Sequence, residues 1–525
     1  MALAFATFCA PGAGPEESGR IRALLLVDEG YGGNWLIEDG KPNIKEEFES
    51  YGWAVDAASP AGEVGPCAWA AGKGMGRLRT LKTSEILDVG AYDLVAVLPG
   101  KGHERLMADP AALALLKGAG EKGLAIAAFC RGARVLAAAG VVSGRRMTGH
   151  PDYAEEYRAA GATYVGFDDL KGKTDAPPPV VDGNLVTALR SNYYRGQTCE
   201  AIRIATEDAR AARSPAAGRP PAAPARSAAF AFMAPPGKDK ECLALASSLR
   251  TFGGALRDSR ILALVAGNLE RMPAAGRASL EALGVEILAY ELPAALASFP
   301  LADKVPAAAA AEAALAAGPA RPDVLVWMDS DTVFIREPSE VLLPAGARLG
   351  FRPVHHRVIG SPADAPPDAF WTAVYEACGA DPASAFPVTT MIDRSRIRFY
   401  PNAGFLVVRP EDGLLGRWYG TFAKVYDRPE LAAFYDKDQR TGLFAHQAIL
   451  AATLVAALPR REFRELGFAY NYPFHLHGSC PADLKPGKLE DLATMRYDRW
   501  ANWAKIGPAL PASGKALADW MAARR

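Results

Sequence analysis

The segment 207–229, EDARAARSPAAGRPPAAPARSAA, constrains the fold most strongly, because it cannot contribute to a packed core. It consists almost entirely of Ala, Pro, Arg, Gly and Ser, and it shows no apolar period. A chain of 525 residues is also too long for a single hydrophobic core. We therefore predict a linker at 207–229 between a first domain over 19–206 and a second domain over 230–525, after a disordered leader at 1–18.

The composition excludes several classes of partner. The 59 basic and 59 acidic side chains balance, so no net field attracts nucleic acid or an anionic membrane. The sequence contains no run of about 18 uninterrupted apolar residues, so it predicts no transmembrane helix. The seven cysteines are scattered without a Cys-x-x-Cys pair, which argues against a zinc ribbon or a disulfide scaffold. We expect a cytoplasmic protein with no nucleic-acid partner and no membrane partner.

Short apolar runs alternate with helical stretches through the first half of the chain. ALLLVDEG, DLVAVLPGKG and LAIAAFC have the composition of buried strands, and helical segments lie between them. This alternation predicts a parallel sheet with helices on both faces. Because ligands of such sheets bind at the carboxyl ends of the strands, we expect the site there.

The run LAIAAFC followed by RGARVLAAAG predicts a buried strand that turns sharply into a helix, with Cys130 on the turn. Gly132 would allow the close backbone approach that such a nucleophile elbow needs. The turn would expose the thiol and direct backbone amides at the sulfur, which favours the thiolate and can hold an oxyanion. The alternative is a buried cysteine that only packs inside a strand.

Three ordered blocks of the first domain resemble the DJ-1/PfpI superfamily of class I glutamine amidotransferase-like proteins. They are YDLVAVLPGKG, AAFCRGARVLAAAGVVSGRRMTGHP and VVDGNLVTALRSNYYRG. The resemblance implies a flavodoxin-like α/β/α sandwich that needs no cofactor and forms a homodimer. It also implies that Cys130 is the nucleophile, that Glu29 contacts the thiol and that His150 lies nearby.

The roles of these two partner residues stay open at the level of sequence. Glu29 either is protonated and donates a hydrogen bond to the thiolate or is an ordinary loop carboxylate. His150 either acts as a base or caps the turn before Pro151. Arg131 stands where protease-like and amidotransferase-like relatives carry a histidine, which disfavours hydrolysis by an adjacent Cys-His pair. The resemblance then implies glyoxalase-, deglycase- or hydratase-type chemistry on small carbonyl compounds, or redox sensing through the cysteine.

The second domain again alternates strands and helices, and its clearest signal is DVLVWMDSDTVFIREP, an apolar strand that ends in Asp329 and Asp331. Carboxylates one residue apart at a strand end can reach the same divalent cation. Such a cation would bridge a nucleotide diphosphate and neutralise a departing phosphate. The alternative is an acidic turn of the kind that commonly follows a strand.

Four segments of the second domain resemble glycogenin-like retaining glycosyltransferases of the GT-A fold, which use nucleotide-diphospho-sugar donors. They are WMDSDTVFIREP, RFYPNAGFLVVRP, FAHQAIL and YNYPFHLHGS, in that order. The resemblance implies a Rossmann-like α/β fold in which Asp329, Asp331 and His475 bind Mn²⁺ or Mg²⁺. It also implies that Asn402 and Gln447 line the pocket of the donor sugar.

Departures from the family pattern leave the roles in the second site open. His446 replaces the acidic residue that precedes Gln447 at a helix start in the family, so donor recognition differs or is lost. His475 and His477 are alternatively a surface pair on a strand. Asn402 is alternatively a turn former.

These patterns support two functional hypotheses from different classes. In the first, the chain is a two-domain enzyme that joins a cysteine site for small molecules to a metal-dependent glycosyltransferase with a sugar-nucleotide donor and an undefined acceptor. In the second, the first domain is a redox or stress sensor, and the second domain binds sugar nucleotides without turnover. A cysteine hydrolase with an inert second domain is a third interpretation, which Arg131 disfavours.

Overall fold

The computed structural model describes residues 20–31, 43–72, 74–166, 179–189, 195–213, 222–318 and 320–524. Their contacts divide the chain into two compact units. Unit 1 holds the described residues up to Leu189, and unit 2 holds those from Arg195 onward. The leader expected over 1–18 lies outside the described residues.

Strands and helices alternate along unit 1. In chain order they are β1 (Arg22–Leu26), α1 (Ile44–Ser50), β2 (Ala54–Ser59), β3 (Glu63–Val64), α2 (Ala68–Gly72), β4 (Leu78–Arg79), β5 (Leu81–Lys82), β6 (Leu94–Val97), α3 (His103–Met107), α4 (Pro110–Glu121), β7 (Ala125–Phe129), α5 (Ala133–Ala138), β8 (Arg146–Met147), α6 (Ala154–Ala159), β9 (Thr163–Tyr164), β10 (Val180–Asp182) and β11 (Leu185–Ala188). A 3-10 turn at Cys130–Gly132 connects β7 to α5.

The central sheet of unit 1 has the strand order β10-β11-β7-β6-β1-β2-β5. Strands β2, β1, β6, β7 and β11 pair in parallel, and β10 is antiparallel to β11. Both β6 (LVAV) and β7 (AIAAF) are buried along their whole length, as expected of strands with both faces covered. The parallel α/β sheet predicted from the sequence is confirmed.

The chain order of the strands marks one edge of this sheet. From β1 the chain adds β2 on one side, and it later adds β6 on the other side. The carboxyl ends of β1 and β6 therefore flank a topological switch point, where ligands of open α/β sheets bind. Since β7 pairs in parallel with β6, Cys130 at its end lies at the same edge.

Unit 2 is the larger unit and also mixes strands with helices. In chain order its elements are α7 (Arg195–Arg213), β12 (Ala228–Met233), α8 (Asp239–Phe252), β13 (Ile261–Ala266), α9 (Ala274–Ala282), β14 (Val285–Tyr290), α10 (Ala294–Ala297), α11 (Lys304–Ala317), β15 (Val324–Met328), β16 (Thr332–Phe334), β17 (Leu349–Pro353), α12 (Ala369–Cys378), β18 (Pro387–Thr389), β19 (Arg396–Arg398), β20 (Pro401–Val408), α13 (Leu414–Val425), α14 (Pro429–Lys437), α15 (Gln439–Ala457), β21 (Phe463–Glu465), β22 (Tyr472–Pro473), β23 (Thr494–Arg496), α16 (Trp503–Ala509) and α17 (Lys515–Ala522). None of the helices that the structure describes is both long and apolar enough to cross a membrane.

The main sheet of unit 2 has the strand order β14-β13-β12-β15-β20-β17-β21. Strands β14, β13, β12 and β15 pair in parallel, whereas β20 is antiparallel to both of its neighbours. From β12 the chain adds β13 and β14 on one side, and it then adds β15 on the other side. The carboxyl ends of β12 and β15 therefore flank a second switch point. A smaller sheet with the order β16-β23-β22 begins just after β15.

Strand β15 is fixed by two separate hydrophobic cores. Leu325 and Trp327 belong to one core, and Val326 and Met328 belong to the other, because successive side chains of a strand point to opposite faces. All four side chains are completely buried. The residue that follows, Asp329, is thereby held at a defined position on the sheet edge.

The helix α7 crosses the position at 206/207 where the sequence predicts the first domain to end. Arg203 on this helix forms buried ion pairs with Glu200 at 2.8 Å and with Glu465 on β21 at 3.0 Å. These contacts explain why α7 groups with unit 2 rather than with unit 1. The beginning of the expected linker is therefore helical up to Arg213, and 214–221 lie outside the described residues.

Candidate functional site

Cys130 lies on a strained turn between β7 and α5. Its φ is 55°, which is in the left-handed region that a cysteine rarely adopts. Such strain persists only where the surrounding structure imposes it, and it concentrates at functional sites. The turn from buried strand to helix has the geometry of a nucleophile elbow, and the Cys130 side chain is half-buried rather than sealed in the core.

Gly132 allows this turn to pack against the end of β6. A Cβ atom on Gly132 would lie 2.9 Å from the carbonyl oxygen of Val97 and 3.1 Å from that of Leu98. Real Cβ atoms essentially never come within 3.0 Å of a backbone atom. The close approach predicted for Gly132 from the sequence is confirmed.

Glu29 follows β1 and is held by two donors. The Gly65 amide donates to its Oε2 at 2.8 Å, and Arg77 Nη2 donates to its Oε1 at 2.7 Å. The Arg77 hydrogen bond is the main reason why the pKa of Glu29 lies below its ordinary value. Glu29 is therefore ionised at neutral pH, which disfavours the alternative in which a protonated Glu29 donates to the thiolate.

Asp28 directly precedes Glu29, but its pKa is shifted in the opposite direction, upward. Its side chain has 0% exposure, its Oδ1 accepts from the Glu29 amide at 2.8 Å, and its Oδ2 lies 3.1 Å from Arg105 Nε. Burial raises the pKa of Asp28. A Cβ on Gly102 would lie 2.6 Å from the Asp28 Cβ and 2.8 Å from the Asp28 carbonyl carbon, so the glycine turn after β6 packs directly on the backbone at Asp28.

His150 is joined to Cys130 through the main chain. Its amide donates to the Cys130 carbonyl oxygen at 3.3 Å. Its Nδ1 accepts from the Asp152 amide at 3.4 Å and caps the short 3-10 helix Pro151–Tyr153. The structure therefore favours the capping alternative for the His150 side chain, while it places the residue beside the predicted nucleophile.

Tyr157 is a further polar group near the cysteine that was not predicted from the sequence. Its side chain is fully buried, and its hydroxyl has no hydrogen-bond partner among the described residues. Burial, followed by the charges of Tyr164 and Cys130, raises the pKa of Tyr157 far above its ordinary value. Tyr157 on α6 is therefore a neutral phenol within electrostatic range of Cys130.

In unit 2, Asp329 and Asp331 leave the end of β15 as predicted. The Asp329 amide donates to the Gly404 carbonyl at 2.9 Å, which continues the ladder between β15 and β20. A Cβ on Gly404 would lie 2.3 Å from Asp329 Oδ2, so the glycine of PNAG makes room for this carboxylate. The two motifs recognised separately in the sequence thus form one side of a common site.

Two basic side chains that were not predicted from the sequence form ion pairs with these carboxylates. Lys304, the first residue of α11, places its Nζ 2.7 Å from Asp329 Oδ1. Arg496, the last residue of β23, places its Nη2 3.0 Å from Asp329 Oδ2. The same guanidinium donates to Asp331 through both Nε and Nη2 at 3.0 Å. Two acidic and two basic side chains therefore meet in one cluster.

Asp329 and Arg496 are both charged at neutral pH. Burial alone would raise the pKa of Asp329, but Lys304 and Arg496 together lower it well below its ordinary value. Burial would lower the pKa of Arg496, but Asp331 and Asp329 raise it above its ordinary value. The positive and negative charges compensate each other within the site.

A divalent cation does not fit this donor set as the structure arranges it. Both aspartates already bind Arg496, and a metal between them would lie against the guanidinium. All four carboxylate oxygens of Asp329 and Asp331 already bind Lys304 or Arg496, so a metal ion would have to displace one of these cations to gain a ligand. Among the described residues, no group of three or more His, Cys, Asp or Glu side chains is placed to hold a metal ion. His475 is thus not brought together with Asp329 and Asp331 as a ligand set.

His475 instead lies near a second histidine. It is an exposed residue of the 3-10 helix Phe474–Ser479 that follows β22, and its ring centroid is 6.4 Å from that of His355. His355 Nε2 lies 3.3 Å from Asn402 Nδ2. Burial and the nearby Arg496 charge hold the pKa of His355 well below its usual range, so this imidazole is neutral. The two histidines and Asn402 form a polar border beside the charged cluster.

The side chains of Asn402 and Gln447 accept hydrogen bonds from backbone amides of β20. Asn402 Oδ1 accepts from the Gly404 amide at 2.9 Å, and Gln447 Oε1 accepts from the Ala403 amide at 2.8 Å. Both side chains are almost completely buried. Their bonds fix the start of β20 beside Asp329, and the Asn402 amide nitrogen remains directed at the histidine border.

His446 lies in the middle of α15, which begins at Gln439, whereas the corresponding motif of the family lies at a helix start. Its Nδ1 donates to the Leu443 carbonyl at 3.1 Å, because a carbonyl oxygen can only accept. Burial, followed by the charge of Lys304, lowers the pKa of His446 to about 3. A neutral imidazole therefore stands where the family pattern has an acidic side chain, close to Lys304 and Asp329.

Sequence models of two families match separate parts of the chain. The DJ-1/PfpI family matches residues 43–194, and the Rhodobacterales glycosyltransferase domain matches residues 231–454. The first match contains Cys130 and His150 but begins after Glu29. The second contains Asp329, Asp331 and Asn402 but ends before His475 and Arg496.

Curated relatives match parts of the chain. An uncharacterized protein of Archaeoglobus fulgidus is 33% identical over 124 residues, which are 23% of this chain and 68% of the relative. Protein DJ-1 homolog D of Arabidopsis thaliana is 33% identical over 107 residues, which are 20% of this chain and 26% of the relative. A deglycase of Pyrococcus abyssi is 29% identical over 97 residues, which are 18% of this chain and 52% of the relative. The chain thus spans from about a quarter to about two thirds of the length of these relatives.

Several solved structures that resemble part of the chain are named for DJ-1, ThiJ or PfpI. The ThiJ/PfpI domain protein of Brachyspira murdochii has a TM-score of 0.29 and 20% identity, and the match covers 36% of this chain and 96% of that one. DJ-1beta of Drosophila melanogaster has a TM-score of 0.28 and 24% identity, with 36% and 90% covered. The two family models alone carry the assignment: the chain combines a DJ-1/PfpI family domain, over residues 43–194, with a Rhodobacterales glycosyltransferase domain, over residues 231–454.

Proposed function

We propose that unit 2 transfers a sugar from a nucleotide-diphospho-sugar donor that binds beyond the carboxyl ends of β12 and β15. The observation that carries this proposal is the position of the charged cluster, since Asp329, Asp331 and Arg496 lie at the switch point where open α/β sheets bind ligands. The match to a glycosyltransferase domain supports the same reaction class. Asn402 and the neighbouring histidines supply polar groups for sugar hydroxyls.

The experiment for unit 2 is a donor screen with the full-length chain. UDP-, GDP-, ADP-, CDP- and dTDP-sugars are incubated with the protein, and the released nucleoside diphosphate is measured with water as acceptor. We expect release from one class of donor, and we expect Asn402→Ala to reduce it. A chain that binds a donor without releasing diphosphate would support the alternative, a sugar-nucleotide binding module without turnover.

For unit 1 we propose that Cys130 attacks small carbonyl compounds. The observation that carries this proposal is the strained, half-buried cysteine at the end of β7. The similarity to a deglycase of Pyrococcus abyssi supports a carbonyl substrate. In the first step the thiolate sulfur would form a bond to the carbonyl carbon, the π electron pair of the C=O bond would move to the oxygen, and that oxygen would take up a proton from water to give a hemithioacetal.

The experiment for unit 1 measures the consumption of methylglyoxal by the full-length chain and by the Cys130→Ser variant. We expect consumption by the wild type and none above background by the variant. If neither protein consumes the aldehyde but peroxide converts Cys130 to an oxidised acid, the redox-sensor alternative gains support.

A further inference from the structure

In the charged cluster of unit 2, the two basic side chains have N–H donors that no hydrogen bond to a described residue uses. Lys304 Nζ has three N–H donors, and one of them is used on Asp329. Arg496 uses Nε and Nη2 on the two aspartates, and its Nη1 has no hydrogen-bond partner among the described residues. Several charge-assisted donors therefore remain at the sheet edge.

These donors are partly buried but still reach solvent. The exposed fractions of the Lys304 and Arg496 side chains are 11% and 17%. Partial burial strengthens their interaction with an anion, because water screens the charges less than on an open surface. The remaining exposure leaves a path for a ligand.

The two aspartates hold the side chains of Lys304 and Arg496 in position through ion pairs. Asp331 holds the guanidinium by two parallel bonds, a geometry that fixes its plane as well as its position. Asp329 bridges the guanidinium and the Lys304 ammonium, so the two positive groups sit on either side of one carboxylate. In this arrangement the DSD motif positions two side-chain cations.

We propose that Lys304 and Arg496 bind the diphosphate of the donor directly, in place of a divalent metal ion, and that the transferase site works without a metal. This inference rests on the nucleotide-sugar function proposed above. It differs from the metal site implied by the resemblance, in which Asp329 and Asp331 are the ligands.

The chemical role of the two cations follows from the charge that develops in sugar transfer. The bond between sugar C1 and the diphosphate oxygen breaks, and that oxygen keeps the electron pair. The acceptor hydroxyl oxygen forms the new bond to C1 and gives its proton to the departing diphosphate. A guanidinium and an ammonium beside the diphosphate stabilise the leaving group, as a metal ion does elsewhere.

A binding experiment with the full-length chain tests the inference. Titration calorimetry measures the affinity for UDP, GDP, ADP, CDP and dTDP, in excess EDTA and again with MnCl₂ or MgCl₂. We expect one nucleoside diphosphate to bind in EDTA with an affinity that the metals leave unchanged. Lys304→Met and Arg496→Met should each weaken that binding roughly tenfold or more, since each removes charge-assisted hydrogen bonds.

Matched variants separate a binding effect from a folding effect. Lys515→Met and Arg499→Met remove the same charges at positions with exposed fractions of 86% and 82%, and they should bind as the wild type does. Lys304→Arg keeps the charge and should retain most of the affinity, which would show that a loss in Lys304→Met is not caused by unfolding.

The remaining outcomes distinguish the inference from the proposed function. Binding that requires manganese or magnesium, or binding in EDTA that neither substitution weakens, would overturn the metal-free site but would leave the nucleotide-sugar function standing. Failure to bind any nucleoside diphosphate under either condition would overturn the proposed function, and the inference with it.

Discussion

Arg496 donates two hydrogen bonds of 3.0 Å to the Asp331 carboxylate, from Nε to Oδ1 and from Nη2 to Oδ2. This pairing joins the second half of the DSD motif to β23, a strand far away in the sequence. Such a bidentate pair is both strong and directional. An acidic motif that is typical of metal binding therefore holds the guanidinium of Arg496 in a fixed orientation.

Replacing Arg496 by Met should lower the free energy of unfolding of unit 2 by about 2 to 3 kcal/mol, because two largely buried carboxylates lose their shared partner. Guanidinium chloride unfolding followed by circular dichroism measures the change. The double variant Arg496→Met, Asp331→Asn should recover part of the loss, since one unpaired charge is removed as well. Equal stabilities of the wild type and Arg496→Met would show that the cluster is screened by solvent.

Replacing Gly132 by Ala should destabilise unit 1 by about 1 to 3 kcal/mol, because the new Cβ would meet the Val97 carbonyl oxygen at 2.9 Å. The matched control is Gly72→Ala, where a Cβ meets nothing within 4 Å on helix α2. There the substitution should be neutral or slightly stabilising. Thermal unfolding of both variants checks the prediction, and similar melting temperatures would contradict the close packing at the elbow.

Alkylation at slightly alkaline pH should label Cys130 before Cys378 and Cys480. Burial raises the pKa of Cys378 to about 12 and that of Cys480 to about 11, so both remain thiols under these conditions. Cys130 is half-buried on its turn and reachable by reagent. Peptide mass spectrometry after a time course with iodoacetamide gives the three rates, with Cys130→Ser as the blank. Equal rates would remove the case for an activated nucleophile.

The stability of unit 2 should fall as pH rises through the range in which Glu312 ionises. Burial raises the pKa of Glu312 to about 7 from its ordinary 4.5. The folded chain therefore holds this proton more tightly than the unfolded chain does. The resulting stabilisation is complete below about pH 4.5 and is lost as pH rises through 7.

The Glu312→Gln variant isolates this effect, because Gln keeps the acceptor for the Gly416 amide, which donates to Glu312 Oε2 at 2.8 Å. The difference in unfolding free energy between wild type and variant should change by up to about 3 kcal/mol between pH 4.5 and pH 8. Denaturant titrations at several pH values measure it. A difference that stays constant with pH would show that Glu312 is already ionised in the fold.

The features that the sequence predicts here are local in the chain. The strand that ends in Cys130, the glycine after it and the apolar strand before Asp329 each follow from the period and composition of a short segment. They could be predicted because a strand that is covered on both faces carries apolar side chains at successive positions, and this run is visible within the segment itself. The two switch points were not predicted, because they depend on the order in which strands from distant segments pair.

The features that could not be predicted depend on contacts between distant segments. Arg496 is 165 positions from Asp331, and neither Arg496 nor Lys304 lies in a recognisable motif. The domain boundary expected at 206/207 falls inside helix α7, which the ion pair between Arg203 and Glu465, 262 positions apart, ties to unit 2. The amphipathic pattern of α7 was the one signal that could have extended the helix into the expected linker.

The decisive measurement for a metal-free transferase site is the rate at which the full-length chain releases nucleoside diphosphate from its best donor sugar in excess EDTA. We expect the same rate in EDTA as with added manganese, and a large loss in Arg496→Met under both conditions. A rate that vanishes in EDTA and returns with manganese would contradict a metal-free site, because the aspartates would then serve a metal rather than Lys304 and Arg496.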